Sequence, residues 1–510
     1  MPTADAAQAR NLWIPAALSV GLVCLSVTPR VLANDVLTAS FRVAAALLLA
    51  WLAVVAARTR AGRVAPRLSI ALRKQHYIQA LCQIAVLAWW GWYWRPVYDM
   101  SALIGGQLIF AYAFGMLLAW SRGEEYRLGF GPFPIILSIN LFLWFKDDWF
   151  YLQFLMIAVG FLGKEFIRWN RDGRRVHVFN PSAFALGLFS LVLIATGTTW
   201  GAEIASTLTL APRIYLYLFL VGLVVMYFFS ITLVAGTAAA VLFGLSAAYS
   251  AVTGVPYFVD SEIPAAVFLG LHLLITDPST SPRSLAGKAV FGALYGVGVF
   301  GLYAVLTAAG APTFYDKLLC VPLLNLAVRG IDHGVGRVRL PSTLDEWAPA
   351  RLNLAAIGVW IVFFGAMSVT GRTDGRHAGD SVPFWEVACA EGRRNACDRL
   401  LQIEATYCGD NSAWACNEVG RRYAEGLGVR VDPALARSYF SRACELRFQA
   451  ACLNVLGDGE VLRTPPRTLD LRLLLREGGL NLMAMPEPEL YARACQHEWD
   501  FACGAPGAGP

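Results

Sequence analysis

Residues 174–187 read RRVHVFNPSAFALG, and the fold turns on what this stretch is. Asn180 carries a side chain that caps helices, and Pro181 suits a first helical turn, where its missing N–H loses no partner. The apolar residues that follow then start a helix abruptly, directly behind Arg174, Arg175 and His177. Basic residues leading into an apolar helix mark the cytoplasmic end of a membrane span. The positive end of that helix, beside those cations, is also a ready site for an anion.

The rest of the chain fits a membrane reading. Of 510 residues, 57% are hydrophobic and 15% charged, with a mean hydropathy of +0.51, whereas soluble domains carry about 25% charged residues. From Leu12 to Thr370 apolar runs follow one another, each near the roughly 20 residues that cross a bilayer. Thirteen spans are expected, at about 12–33, 37–57, 76–97, 101–120, 128–145, 149–167, 180–200, 212–230, 231–251, 263–276, 288–309, 317–329 and 352–370. With the N-terminus in the cytoplasm, the inner loops hold 20 Lys and Arg against 6 outside, which selects this orientation over its inverse. Beyond residue 370 there are 16 Lys and Arg against 19 Asp and Glu, so the +6 net charge belongs to the membrane part. A basic nucleic-acid face is therefore excluded, and lipid is the expected surrounding.

An odd number of spans puts the tail outside the cytoplasm. Cys24, Cys82 and Cys320 fall in apolar spans and read as small core residues. The other eight cysteines lie in the tail, in four couples spaced by eight residues: 389 and 397, 408 and 416, 444 and 452, 495 and 503. An even count at fixed spacing, without C-x-x-C knuckles, reads as a disulfide framework in an oxidising compartment. Residues 413–456, AWACNEVGRRYAEGLGVRVDPALARSYFSRACELRFQAACLNVL, bring Cys408 and Cys416 back 36 residues later as Cys444 and Cys452. A period in the mid-thirties indicates stacked helix pairs. The segment resembles the cysteine-rich SEL-type repeats, relatives of the tetratricopeptide repeat, over 383–456 and again at YARACQHEWDFAC (491–503). The resemblance implies disulfides Cys389–Cys397, Cys408–Cys416, Cys444–Cys452 and Cys495–Cys503, each tying one helix to the next, and a face that binds a periplasmic protein or peptide. An atypical insertion interrupts the repeats at 457–485.

A second interrupted span, HLLITDPSTSPRSLAGK (272–288), places Asp277-Pro278 and Ser281-Pro282 where a helix leaves the membrane. Breaks of this kind are tolerated where protein or a water-filled cavity satisfies the backbone, so they tend to mark sites. The residue reading leaves two alternatives: a ligand cavity between the two breaks, or two well-capped loop ends. The stretches KEFIRWNRDGRRVHVFNPSA (164–183), TDPSTSP (276–282) and LYGVGVFGLYAVLTAAGAPTFYDKLLCVPLLNLAVRGID (294–332) together resemble one family. Its members are the related membrane subunits of two redox-driven ion pumps, the sodium-translocating NADH:quinone oxidoreductase and the Rnf complex.

That resemblance covers about 76–335. It implies a core of two inverted five-helix repeats, bound flavin, and other membrane redox subunits as partners. The expected organisation is thus all-α: two extra spans and a basic loop (1–75), the core (76–335), a linker and last span (336–370), and a disulfide-stapled α-solenoid (371–510). The family's covalent FMN sits on a threonine of a Ser-Gly-Ala-Thr motif. The corresponding loop here, ATGTTWGAEIASTLTLAPR (195–213), holds Thr196, Thr198, Thr199, Thr207 and Thr209 but lacks the motif, so no covalent flavin is expected, with Thr199 or Thr207 as the attachment point were one present. FMN or riboflavin held non-covalently is the expectation. Arg175, His177, Asn180, Pro181, Asp277 and Ser281 are the residues expected to hold it.

His272, five residues before Asp277, reads either as a hydrogen-bonded structural residue, the commoner role of a lone histidine, or as a ligand facing the same cavity. Glu165 is expected to pair at the inner interface, and WWGWYW (89–94) to sit in an interfacial belt. No general acid, nucleophile or metal motif points to a free-standing enzyme. The functions in play are an electron-transport subunit of an ion-translocating complex, a small-ligand transporter on the same scaffold, and a membrane-anchored scaffold protein. The setting expected is a bacterial inner membrane with the tail in the periplasm.

Overall fold

A computed structural model describes residues 10–171, 173–259, 261–335, 349–373, 377–457, 459–475 and 480–506. Most of the expected linker, 336–348, lies outside the described residues. The chain divides into two compact units. One comprises residues 1–211, 215–242 and 265–364, the other 212–214, 243–264 and 365–510.

The first unit is helical. Its helices are α1 (Trp13–Leu25), α2 (Asp35–Arg60), α3 (Lys74–Tyr93), α4 (Ser101–Ser121) and α5 (Pro132–Asn140). Next come α6 (Tyr151–Phe166), α7 (Pro181–Thr196), α8 (Ile214–Phe229), α9 (Thr232–Thr253) and α10 (Ala265–Leu273). The last three are α11 (Leu285–Ala308), α12 (Asp316–Val335) and α13 (Pro349–Val369); residue 214 of α8, residues 243–253 of α9 and residues 365–369 of α13 count with the second unit. Among the described residues six helices are long and apolar enough to cross a membrane. The chain is a membrane protein on that ground.

Two helices are nine residues long, α5 and α10. At 1.5 Å per residue each extends only about 14 Å, half of a bilayer core. The span expected at 128–145 is thus helical only from Pro132 to Asn140, and then turns into a strand, β3 (Leu143–Phe145). The span expected at 263–276 likewise stops at Leu273. In the run α3 to α7 the third member is a half-helix, and in the run α8 to α12 the third is again one.

The strands are short pairings between loops. β1 (Leu68–Ile70) pairs in parallel with β2 (Tyr126–Leu128), and β3 pairs antiparallel with β6 (Gly201–Glu203). β4 (Arg168–Arg171) and β5 (Arg174–His177) form a hairpin. The loops meet in two groups. Arg30 holds Asp147 through two bonds of 2.8 and 2.9 Å, Asn34 donates to Asp148, and the Lys146 N–H donates to the Trp200 carbonyl. In the other group Arg122 bonds Glu165, Arg171 bonds Asp332, and Lys288 donates to the Ser230 carbonyl. Each group contains only loops that the expected alternation puts on one side.

Glycines allow close helix packing at several points, two of them next to the half-helix α10 and the long helix α12. A β-carbon at Gly187 of α7 would lie 2.8 Å from Pro322 and 3.0 Å from the Leu318 carbonyl of α12. One at Gly222 of α8 would overlap the His272 ring of α10. Either substitution overpacks a tight contact.

The second unit contains α14 (Val382–Ala390), α15 (Ala396–Gly409), α16 (Ala413–Glu425), α17 (Pro433–Glu445) and α18 (Gln449–Leu456). It ends with α19 (Thr468–Leu474), α20 (Glu487–Gln496) and the single turn α21 (Asp500–Cys503). Four disulfides join Cys389 to Cys397, Cys408 to Cys416, Cys444 to Cys452 and Cys495 to Cys503. Each ties the end of one helix to the start of the next. The third residue after each first cysteine is left-handed: Gly392, Asn411, Arg447 and Glu498, with φ between 65° and 69°. One turn geometry therefore recurs four times on four different residues. Disulfides of this number mark the unit as lying in an oxidising, extracytoplasmic space.

Candidate functional site

Asn180 does more than cap α7. Its Oδ1 accepts from the N–H of Ser182 at 3.1 Å and from the Ser182 hydroxyl at 2.8 Å. Its Nδ2 donates to the Leu274 carbonyl at 3.0 Å, just past the end of α10. Its own N–H donates to Asn325 Oδ1 at 3.0 Å, and Asn325 Nδ2 reaches back to the Thr280 carbonyl at 3.2 Å. Asn180, Asn325 and Ser281 are all buried. The start of α7, the break after α10 and the middle of α12 are therefore joined by one polar knot. Pro181 is the first residue of α7 and is buried with it. The backbone groups freed where α10 stops find partners here, as a break inside a membrane requires.

His177, at the end of β5, sits over the knot with Nε2 3.2 Å from Asp277 Oδ2, and Asp277 Oδ1 accepts from the Ser279 N–H at 2.9 Å. Arg171 seals the adjacent side. It donates to the Ser281 carbonyl at 3.0 Å and to Asp332 at 2.6 Å. His177, Asn180, Pro181, Asp277 and Ser281 are thus brought together. Arg175 is not, because it is exposed on the outer edge of the hairpin.

A different cation stands nearby. Lys164 closes α6, and its ammonium has no carboxylate within 4.0 Å among the described residues. It lies within electrostatic range of Asp277, His76 and Arg73. By sequence alone Lys164 is one of several basic residues in an inner loop. Its half-buried place follows from the helix continuing to Phe166.

His272 does not face this site. Its ring is fully buried against Phe268 and Trp360, and Nδ1 lies 2.7 Å from the Phe268 carbonyl. Glu165 pairs with Arg122 at 2.9 Å and with Arg168, as expected of an interfacial residue. Of the tryptophan run, Trp92 is 63% exposed, as a belt residue should be. Trp90 is instead fully buried, stacked on Trp94 and donating to Thr207 at 3.1 Å. The Thr207 hydroxyl also donates to the Ile204 carbonyl at 2.6 Å. Thr207 is thus occupied twice. Thr199 is exposed, 3.5 Å from the Lys146 ammonium.

The first half-helix has its own polar cluster, which the sequence reading missed. Asn140, the last residue of α5, donates to Gln107 Oε1 at 2.6 Å and accepts from Gln107 Nε2 at 3.2 Å. Gln153 Nε2 approaches Gln107 Oε1 at 3.4 Å, and Gln153 Oε1 accepts the Phe145 N–H at 3.2 Å. All three carboxamides are fully buried. Both half-helices therefore end in buried polar networks.

Compared with protein families and with characterised proteins, the sequence matches no family model and no individual relative.

Proposed function

We propose that the protein is a flavin-associated electron-transport subunit of the membrane, related to redox-driven ion-translocating complexes. The observation that carries this reading is the half-helix placed third in each of two successive runs of five helices, each ending in buried polar groups. An odd run repeated along a membrane chain inverts its second copy, and sites in such scaffolds form where the discontinuous helices stop. The excess of Lys and Arg in the inner loops supports the N-inside orientation in a bacterial inner membrane, with the second unit in the periplasm, and the loops meet in the two groups that such an alternation requires. FMN or riboflavin, held non-covalently, takes the place beside the knot of Asn180, Asp277 and Ser281. Lys164, rather than Arg175, supplies the charge for a phosphate. When bound, the flavin carries the electron chemistry; the chain orients it and screens it from water. The tail docks a periplasmic partner.

The test uses purified full-length protein titrated with riboflavin and with FMN. Asp277→Ala weakens both flavins roughly tenfold, the loss of one charge-assisted contact. Lys164→Met weakens FMN by a similar factor and leaves riboflavin unchanged. Flavin affinities untouched by both substitutions, in variants that insert normally, would remove the assigned site.

A further inference from the structure

The second unit carries a groove of about 600 Å³ built from four segments distant in sequence, one of them the start of α16, which contributes Trp414. α14 contributes Glu386 and Val387, the insertion that interrupts the repeats contributes Pro465 and Pro466, and the turn after α20 together with the start of α21 contributes Glu498 to Phe501. Its floor is aromatic. Trp414 and Trp499 stand 5.3 Å apart at 78°, and Phe501 meets Trp499 at 6.0 Å and the same angle. Rings set nearly at right angles leave corners that fit flat apolar groups. The exposed Pro465 and Phe501 also line it, and Pro466 is buried beside them.

The rim is acidic. Arg463 is the groove's one cation among its lining residues, and it is used up by Glu386 and by Glu418 at 3.1 Å. Glu498 and Asp500 flank Trp499, are exposed, and have no ion pair among the described residues. The uncompensated charge over the aromatic floor is therefore negative. Such a site repels anions and favours a cation, through the carboxylates and through the exposed ring of Phe501, since Trp414 and Trp499 beneath it are only 2% and 6% exposed. A volume of this size holds a few residues of an extended chain, and aromatic-lined grooves take proline-rich segments at low entropic cost because these are already extended.

We infer that this groove binds an extended peptide segment of a periplasmic partner, presenting an arginine or lysine next to proline. The inference rests on the reading of the tail as a docking unit and names what it docks. It also gives the insertion a purpose, since a continuous repeat would not supply the prolines.

Three fluorescein-labelled peptides distinguish the possibilities: GAPPRPLAG, GAPPAPLAG and GAPPEPLAG, titrated into full-length protein in detergent and followed by anisotropy. The arginine peptide binds most tightly, the glutamate peptide at least roughly tenfold more weakly, and the preference shrinks with added salt. The double substitution Glu498→Gln with Asp500→Asn lowers affinity for the arginine peptide by about fivefold per carboxylate, the upper end for exposed ion pairs, and leaves the alanine peptide unchanged. Both replacements keep side-chain size, and an unchanged melting temperature of the variant shows that folding is intact. Equal binding of all three peptides overturns the cationic preference while leaving docking in place. Absence of binding by any of them overturns both.

Discussion

Reduction of the four disulfides unfolds the C-terminal unit. Each bridge closes a loop with a sequence separation of eight. In the chain-entropy account such a loop stabilises by about 2.5 kcal/mol, and four of them by about 10 kcal/mol. A domain's whole stability is only about 5–15 kcal/mol. The helices here are short, and α21 is a single turn, so little else holds the turns closed. Limited proteolysis with and without dithiothreitol reads the effect. Before reduction the tail resists cleavage, and thiol labelling finds no more than Cys24, Cys82 and Cys320, the three free cysteines. After reduction the tail is digested and eight further thiols label. A tail that stays resistant after full reduction would mean that helix packing alone holds it.

The second large effect comes from Arg422→Met. Glu404 and Glu418 are completely buried in the second unit, and Glu386 lies beside them, one carboxylate oxygen from each coming within 4.8 Å of the others. Arg422, also buried, bonds both oxygens of Glu404, one at 2.8 Å. Removing the guanidinium leaves a buried carboxylate unpaired, which costs about 3–5 kcal/mol. Burial, helped by Glu418 and Glu386, outweighs Arg422 and pushes the Glu404 carboxyl up to about 7. Arg422 itself is held charged, because the surrounding carboxylates outweigh the penalty of its burial.

The sign follows from linkage. The folded state holds the Glu404 proton more tightly than the unfolded chain, whose carboxyl sits near 4.3, so stability falls as pH rises between those values. Burial raises Glu386 in the same sense. Wild-type protein therefore melts higher at pH 5 than at pH 7.5, and Glu404→Gln flattens that trend. Arg422→Met costs less at pH 5, where Glu404 takes up a proton. Equal losses at both pH values would show that the carboxyl stays ionised throughout.

Which of these features the sequence displays depends on range. Asn180-Pro181 announces its helix start locally, because capping and proline placement involve neighbours in the chain. The cysteine couples are legible for the same reason: an eight-residue spacing fits a bridge across one turn. The left-handed residue three positions after each first cysteine is not legible, since Gly392, Asn411, Arg447 and Glu498 share no chemistry. The half-helix at 132–140 is hidden because the apolar run continues past Asn140, and only pairing of β3 with β6 shows where the helix stops. Gln107, Asn140 and Gln153 each look like a lone polar residue in an apolar stretch. They pair across 33 and 46 residues, a distance no local pattern reports. Arg175 and Lys164 show the converse error, since one basic cluster held both and only the hairpin and helix directions separate an exposed side chain from a half-buried one.

A non-covalent flavin in the membrane unit, as proposed, has a direct spectroscopic signature. An absorption spectrum of the detergent-purified protein, followed by acid precipitation, tests it in one sitting. The protein is expected to be yellow, and its flavin to pass entirely into the acid supernatant. Flavin retained in the pellet would contradict the non-covalent assignment and point to Thr199. Protein that is colourless as purified, and stays so after incubation with FMN or riboflavin and removal of the excess, would contradict the electron-transport reading itself.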